Sequence, residues 1–241
     1  MIIKTRGIVF KTIKYGETSM IVDIYTEEKG LRKFIVNGVR SKKAKTKASL
    51  LQVMSILDMV AFDREDKELN RIKEIKSAFI YQQIPFNIIK GAIGLFIAEV
   101  ARKTIREKEE NQVLFQYLFD TFTFLDQTDH SPSNLHISFL LGLSSFLGFI
   151  PGGDYSAETP YFDLKEGVFT NEMIGHPHFM DEHQSILLYQ FLQLPLEVCH
   201  QIALNRKERK RLLQGLIEYF QLHIDNFPTI NAHLILQEVL S

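Results

Sequence analysis

The 241-residue chain contains a single cysteine, Cys199, and no tryptophan. One cysteine excludes an intramolecular disulfide framework and any zinc site built from several cysteines. The sequence also lacks an apolar run of about 18 residues, as a membrane span requires, and it does not begin with a basic stretch followed by a long apolar one. We therefore expect a cytoplasmic protein with no membrane partner.

The short motifs of common catalytic sites are also missing. The chain has no Gly-x-x-x-x-Gly-Lys-Ser/Thr loop, no paired-glycine dinucleotide fingerprint and no Gly-x-Ser-x-Gly elbow. Cys199 lies in an apolar segment, and adjacent residues such as His200 point apart on a helix, so a buried thiol is expected rather than a nucleophile. These absences predict a protein that is not an enzyme and that uses no cofactor.

The basic residues are concentrated at the start of the chain. Residues 1–47 contain twelve Lys and Arg against four Asp and Glu, whereas the remainder contains 16 basic and 25 acidic residues. The first part therefore carries +8 and the remainder −9 within an overall charge of −1. This asymmetry predicts that the N-terminal part of the chain meets a polyanion.

The most basic stretch follows a predicted strand at residues 31–36. After Gly38, five cations lie within residues 40–47 with no acid among them. Like charges at this density are stable only in water or against an anion, so the stretch is either a solvated loop or a phosphate contact.

β-branched and aromatic residues predict strands over residues 2–13, 20–25, 31–36 and 53–62. Residues 69–81 fit a strand or a helix, because their apolar residues are spaced three or four apart. Five short strands in about eighty residues indicate a small barrel, here assigned to a first domain of residues 1–82.

Helical periodicity dominates a second domain, assigned to residues 83–241. An irregular insertion spans residues 151–183 and includes a possible hairpin at 160–164 and 167–170. The fold class is therefore α+β and multi-domain, with a β-barrel followed by an all-α domain. The predicted helices cover residues 86–108, 112–125, 134–147, 184–192, 196–203, 207–224 and 230–240.

Several segments are distinctive in their order and spacing, namely residues 6–10 with 15–19, 25–31, 37–40, 97–100 with 114–118, 138–151, and 212–223. In these segments and in the order of its parts, the chain resembles the RecO family of recombination mediators. The resemblance implies an oligonucleotide/oligosaccharide-binding (OB) barrel, a helical domain and, in many members, a four-cysteine zinc module. Residues 151–170 contain no cysteine, so we predict no structural zinc there.

The resemblance further implies a nucleoid-associated mediator of recombination in DNA repair. Such a protein binds single- and double-stranded DNA, anneals complementary strands and partners RecR. It helps to load the recombinase onto DNA coated with single-stranded-DNA-binding protein, whose acidic C-terminal tail is held by the helical domain.

OB barrels hold nucleic-acid strands with basic side chains and stack the bases on aromatic rings. Possible stacking platforms are Phe10, Tyr15, Tyr25 and Phe34, although rings at strand spacing are also typical of a core. The predicted nucleic-acid-binding residues are Lys11, Lys14, Arg32, Lys33, Arg40, Lys42, Lys43, Lys45 and Lys47.

The partner tail requires an apolar pocket with a basic rim, and two clusters fit. One lies on the first predicted helix and comprises Arg102, Lys103 and Arg106. The other opens a later helix, where cations oppose the helix dipole, so it is either a solvated helix start or an anion site. Its members are Arg206, Lys207, Arg209 and Lys210.

Two other functions remain open. An OB barrel also suits an RNA-binding or translation-associated module. A metal-dependent hydrolase would use residues 176–183, where His176, His178, Asp181 and His183 are competent ligands. Because an irregular loop gives these side chains no fixed geometry, surface histidines and no metal are expected.

Overall fold

The computed structural model of the chain describes residues 1–41, 48–63, 68–106, 108–171 and 175–240. The chain divides into two compact units. The first comprises Met1–Asn87 and Ala98–Gln127, and the second comprises Ile88–Ile97 and Thr128–Ser241. The expected domain boundary at residue 82 stays a prediction.

The first unit contains a closed five-stranded barrel, which confirms the predicted architecture. Its strands run in the order β1-β2-β3-β5-β4, with β3 and β5 parallel and the other pairs antiparallel. Side chains that alternate along the strands, such as Val22, Ile24 and Phe34, fill the interior because successive strand residues point to opposite faces. The strands are β1 (Ile2–Tyr15), β2 (Ser19–Thr26), β3 (Gly30–Val36), β4 (Ile56–Phe62) and β5 (Leu69–Phe79).

Two strands differ from expectation. The fourth begins at Ile56 rather than at residue 53, because Ala48–Leu51 forms a short 3-10 helix and Met54 has a left-handed φ of 75°. Residues 69–79 form a strand, so the helical interpretation of this segment is wrong. The register shifts between Val60 and Ala61, which brings Ile72 and Ile75 to the same core, and this β-bulge produces a helix-like spacing.

The helix α1 (Ile88–Thr104) ends four residues earlier than predicted, and α2 spans Gln112–Gln127. α2 buries one apolar stripe, as the three- and four-residue spacing predicted. The buried apolar members of this stripe are Leu114, Phe115, Leu118, Phe122 and Leu125.

The second unit is mostly helical. Its irregular insertion carries the predicted hairpin and a third short strand, which together form a small sheet of order β7-β6-β8. The segment Leu196–Gln201 is a 3-10 helix rather than an α-helix, and Cys199 within it is buried as expected. The remaining elements are α3 (Leu135–Phe146), β6 (Tyr161–Asp163), β7 (Val168–Thr170), β8 (Phe179–Met180), α4 (Glu182–Gln193), α5 (Arg206–His223) and α6 (Ala232–Val239).

None of the helices in the described part of the chain combines the length and the apolar character needed to cross a membrane.

Candidate nucleic-acid interface and partner pocket

The turn between β1 and β2 meets the segment that follows β3. The backbone N–H of Arg40 donates to the carbonyl of Thr18 at 3.1 Å, and its guanidinium Nη1 donates to the carbonyl of Gly16 at 3.4 Å. Lys14 and Tyr15, both exposed, end β1 immediately before this turn. Arg40 and the end of β1 therefore lie together at one end of the barrel.

The basic stretch continues after Arg40 in the sequence. Four of its predicted nucleic-acid-binding residues fall between the described ranges 1–41 and 48–63, and their placement stays a prediction. They are Lys42, Lys43, Lys45 and Lys47.

Of the four aromatic side chains considered as stacking platforms, three lie in the core. Phe10, Tyr25 and Phe34 are at most 3% exposed, and Phe10 stacks on Tyr25 with ring centroids 5.9 Å apart. A nucleic-acid base cannot reach these rings, so their interpretation as platforms is wrong. Tyr15 is 54% exposed and lies beside Lys14, and it is therefore the ring available to a base.

The predicted cations on the strands have different surroundings. Lys14 and Lys33 are exposed and Lys11 is half-buried, and none of the three forms an ion pair among the described residues. Arg32 instead places its Nε 3.8 Å from the Asp63 carboxylate, which is almost fully buried. Because this contact satisfies a buried charge, Arg32 has a structural partner that the other three lack.

The cluster at the end of α1 is largely engaged within its own unit. Arg102 Nη1 lies 3.4 Å from the Asp23 carboxylate, and Lys103 Nζ lies 2.6 Å from Glu99 on the preceding turn. These ion pairs make the two cations less available to an acidic peptide.

The positive charge at the start of α5 is compensated within the helix itself. The Asn205 side chain accepts the N–H of Glu208 at 3.0 Å, and the Glu208 carboxylate accepts the N–H of Asn205 at 2.8 Å. This capping box satisfies the first turn of the helix and places an acid against the helix dipole. The four cations can therefore occupy this helix start without an external anion.

Two hydrogen bonds fix Arg209, whose Nε donates to Asn134 Oδ1 at 3.1 Å and whose Nη2 donates to the Leu204 carbonyl at 3.0 Å. Burial lowers the pKa of the Arg209 guanidinium, which indicates that water solvates its charge poorly.

A pocket of about 50 Å³ opens beside Arg209 between the α3, α5 and α6 helices. One water needs roughly 10–15 Å³. This pocket therefore admits a carboxylate or the end of an apolar side chain, but it is too small for a nucleic-acid base. Three cations rim an otherwise mostly apolar wall. The lining residues are His136, Arg206, Arg209, Lys210, Leu213, Leu236, Gln237 and Leu240.

His136 lies at the base of this pocket and is fully buried. Neither of its ring nitrogens forms a hydrogen bond within the described part of the protein. Burial, and then the charge of Arg209, lowers the pKa of His136 to about 3, against a smaller opposing effect of the Ser133 backbone. The imidazole is therefore neutral at physiological pH.

Sequence reasoning named three of the pocket residues, Arg206, Arg209 and Lys210, but missed its apolar wall and its polar base. The isolated His136 within the apolar segment 135–143 was a signal that could have identified the base. The leucines of the wall carried no such signal, because leucine at helical spacing is typical of any core.

The histidines at residues 176–183 pair with separate carboxylates. His176 Nε2 lies 3.3 Å from Asp163, His178 Nδ1 lies 2.5 Å from Glu218, and His183 Nε2 lies 2.9 Å from Glu208. Among the described residues, no three His, Cys, Asp or Glu side chains are placed to hold a metal ion.

Comparisons with known proteins indicate the same family for both parts of the chain. The family model "Recombination protein O N terminal" matches residues 1–81, and "Recombination protein O C terminal" matches residues 85–229. A DNA repair protein RecO from Bacteroides fragilis is 38% identical over 240 residues, covering 99% of each chain. Proteins with the same name from Phocaeicola vulgatus and Flavobacterium johnsoniae are each 35% identical, over 241 and 243 residues and all of each chain.

Proposed function

Because the chain belongs to the RecO family of DNA repair and recombination proteins, we propose that it is a non-enzymatic mediator of homologous recombination. In this role it binds single- and double-stranded DNA, anneals complementary strands, and helps to load the recombinase onto DNA coated with single-stranded-DNA-binding protein. RecR is its proposed partner in loading.

The observation that carries this proposal is the grouping of Lys14, Tyr15 and Arg40 at one end of the barrel. Two exposed cations and an exposed ring supply what a strand of nucleic acid requires, namely backbone neutralisation and a stacking surface. The four lysines of residues 42–47 follow Arg40 directly in the sequence. Contacts of this kind depend little on base sequence and weaken as salt increases.

The pocket at α5 and α6 supports a second part of the proposal. An acidic tail with apolar residues needs a cationic rim and an apolar wall, and Arg206, Lys210 and Leu213 provide both. We therefore assign the tail of the single-stranded-DNA-binding protein to this pocket rather than to the cluster at Arg102 and Lys103, whose cations already have carboxylate partners.

An annealing assay tests the DNA-binding part. Complementary oligonucleotides are mixed at low salt with the protein or with the double variant Lys14→Glu and Arg40→Glu. We expect the variant to lose annealing and single-strand binding while it keeps its unfolding midpoint. The matched control is Lys165→Glu, at an exposed lysine of the other unit. Unchanged annealing by the double variant would contradict the assignment, and a preference for RNA over DNA in competition would favour an RNA-binding module.

The tail assignment is tested on the same reaction with one strand precoated with single-stranded-DNA-binding protein, either intact or without its tail. Lys210→Glu should remove the advantage that the tail provides, because Lys210 lines the pocket. Lys207→Glu changes the same charge on an exposed residue of α5 that does not line it, and should have little effect. Equal effects of the two substitutions would contradict the assignment.

A further inference from the structure

The pocket in the helical unit contains polar atoms without partners. Six side-chain nitrogen or oxygen atoms in the described ranges are buried and form no hydrogen bond. Four of the six belong to α6 or to the histidine at the base of the pocket. They are Nδ1 and Nε2 of His136, Nδ1 of His233 and Nε2 of Gln237.

Two of these residues, His136 and Gln237, line the pocket itself. The Gln237 amide nitrogen is a donor. A buried donor without an acceptor destabilises the state that buries it, because the donor has lost its hydrogen bonds to water. Within the described residues, the Gln237 amide nitrogen therefore has no acceptor.

The missing partner is an acceptor. The pocket already contains three cationic side chains, so a negatively charged acceptor would satisfy the donors and the cations together. The volume of about 50 Å³ suits a carboxylate. Apolar contacts remain available for the rest of a peptide, since Leu213, Leu236 and Leu240 form the adjacent wall.

We propose that α6 is a clamp on the peptide site, in which Gln237 donates a hydrogen bond to a bound carboxylate of an acidic peptide. This proposal rests on the proposed function of the pocket and adds the residues that close it. Ligand binding and the docking of α6 are then coupled, because the ligand supplies the acceptors that the docked helix lacks.

The substitution Gln237→Leu separates a clamp from a merely structural helix, because the two roles predict different combinations of stability and affinity. Leucine has a similar size and removes the donor, so the free protein should unfold at the same or a higher temperature. The dissociation constant of the acidic tail peptide should nevertheless increase about tenfold, as expected for the loss of one hydrogen bond to a charged group. A merely structural Gln237 would leave the dissociation constant unchanged.

The experiment uses the full chain and a fluorescein-labelled peptide of the single-stranded-DNA-binding protein's C-terminal tail, followed by fluorescence anisotropy. Ile235→Ala is the matched control on α6, because Ile235 is 54% exposed and does not line the pocket. Hydrogen exchange of residues 232–239 is measured with and without the peptide, and the clamp predicts slower exchange when the peptide is bound.

The outcomes distinguish the clamp from the function on which it rests. Weaker binding by Gln237→Leu together with slower exchange of α6 supports the clamp. Peptide binding that is equal in the wild type and Gln237→Leu, with unchanged exchange of α6, overturns the clamp and leaves the pocket as the tail site. No peptide binding by the wild-type protein overturns both.

Discussion

Arg6 and Glu27 form a bidentate ion pair. Arg6 Nη2 donates to Glu27 Oε1 at 2.6 Å, and Arg6 Nε donates to Glu27 Oε2 at 2.9 Å. The guanidinium of Arg6 also lies 5.1 and 4.9 Å from the ring centres of Phe115 and Phe119 on α2. The hydrogen bonds between the two side chains raise the pKa of Arg6 and lower the pKa of Glu27. One arginine thus joins the start of β1 to the turn after β2 and to α2.

Removing the Glu27 charge with Glu27→Gln should destabilise the protein by about 1 kcal/mol at neutral pH, since the pair is partly exposed and water weakens it. The pKa of Glu27 is lower in the folded state than in the unfolded chain. This stabilisation is therefore present above the ordinary glutamate pKa, and it is lost as the pH falls through the pKa of Glu27 in the folded state. Urea unfolding at neutral pH and near pH 3 measures the change. A difference between variant and wild type that stays constant with pH would contradict the role of the ion pair.

Asp126 has a larger structural role in the same unit. Its fully buried carboxylate accepts the backbone N–H groups of Gln82, Gln83 and Ile84, each at 2.8 Å. Asp126→Ala leaves three donors without an acceptor and should destabilise the protein by at least about 3 kcal/mol. Asp126→Asn keeps one acceptor oxygen and should have a smaller effect.

Thermal unfolding of both Asp126 variants gives the order of stability, with Asp120→Ala as a control at an exposed aspartate on the same helix. The control should change stability by less than about 0.5 kcal/mol. If Asp126→Ala and Asp120→Ala unfolded alike, the backbone contacts of Asp126 would not hold the connection between β5 and α1.

Local patterns in the sequence predict most of the fold. The strands β1 to β4 are rich in β-branched and aromatic residues, and most of the helices bury stripes at three- and four-residue spacing. Residues 69–79 were ambiguous because the β-bulge that brings Ile72 and Ile75 to one face depends on the pairing with β4, which a local pattern does not contain. The third strand of the small sheet has only two residues, Phe179 and Met180, too few to show any period.

The candidate sites were less predictable because they depend on tertiary contacts. The sequence shows that Lys14 and Arg32 are basic, but only the folded chain places Arg32 against Asp63 and leaves Lys14 exposed. In the same way, the sequence gives no indication that Arg102 pairs with Asp23. The pocket combines α3, α5 and α6, so its polar base could not be inferred from the cations of α5 alone.

His136 should make stability depend on pH. Its pKa is about 3 in the folded state and lies well above that in the unfolded chain, so the folded state disfavours the protonated imidazole. The stabilisation is fully present above the ordinary histidine pKa and is lost as the pH falls from there, at up to about 1.4 kcal/mol per pH unit.

His136→Leu removes this titration and should make the protein less sensitive to acid between neutral pH and about pH 4. The control is His130→Leu, at an exposed histidine. Chemical unfolding of the three proteins across this pH range measures the slopes. Parallel slopes for the wild type and His136→Leu would show that burial of the imidazole does not determine the acid sensitivity.

Among the predicted nucleic-acid-binding residues, Lys14 and Arg32 provide the most direct comparison between an exposed charge and one that is structurally engaged. Each phosphate contact to a single strand contributes about 0.7 to the slope of log affinity against log salt. Lys14→Gln should therefore reduce this slope by about 0.7 without changing stability, because Lys14 is exposed and has no ion-pair partner among the described residues. Arg32→Gln should keep the slope but destabilise the protein by about 1 kcal/mol or more, because it leaves the buried Asp63 without its cation.

Fluorescence anisotropy titrations with a labelled oligonucleotide at several salt concentrations, combined with urea unfolding, measure both quantities. Equal slopes for the two variants would show that exposure at this end of the barrel does not select the residues that contact DNA.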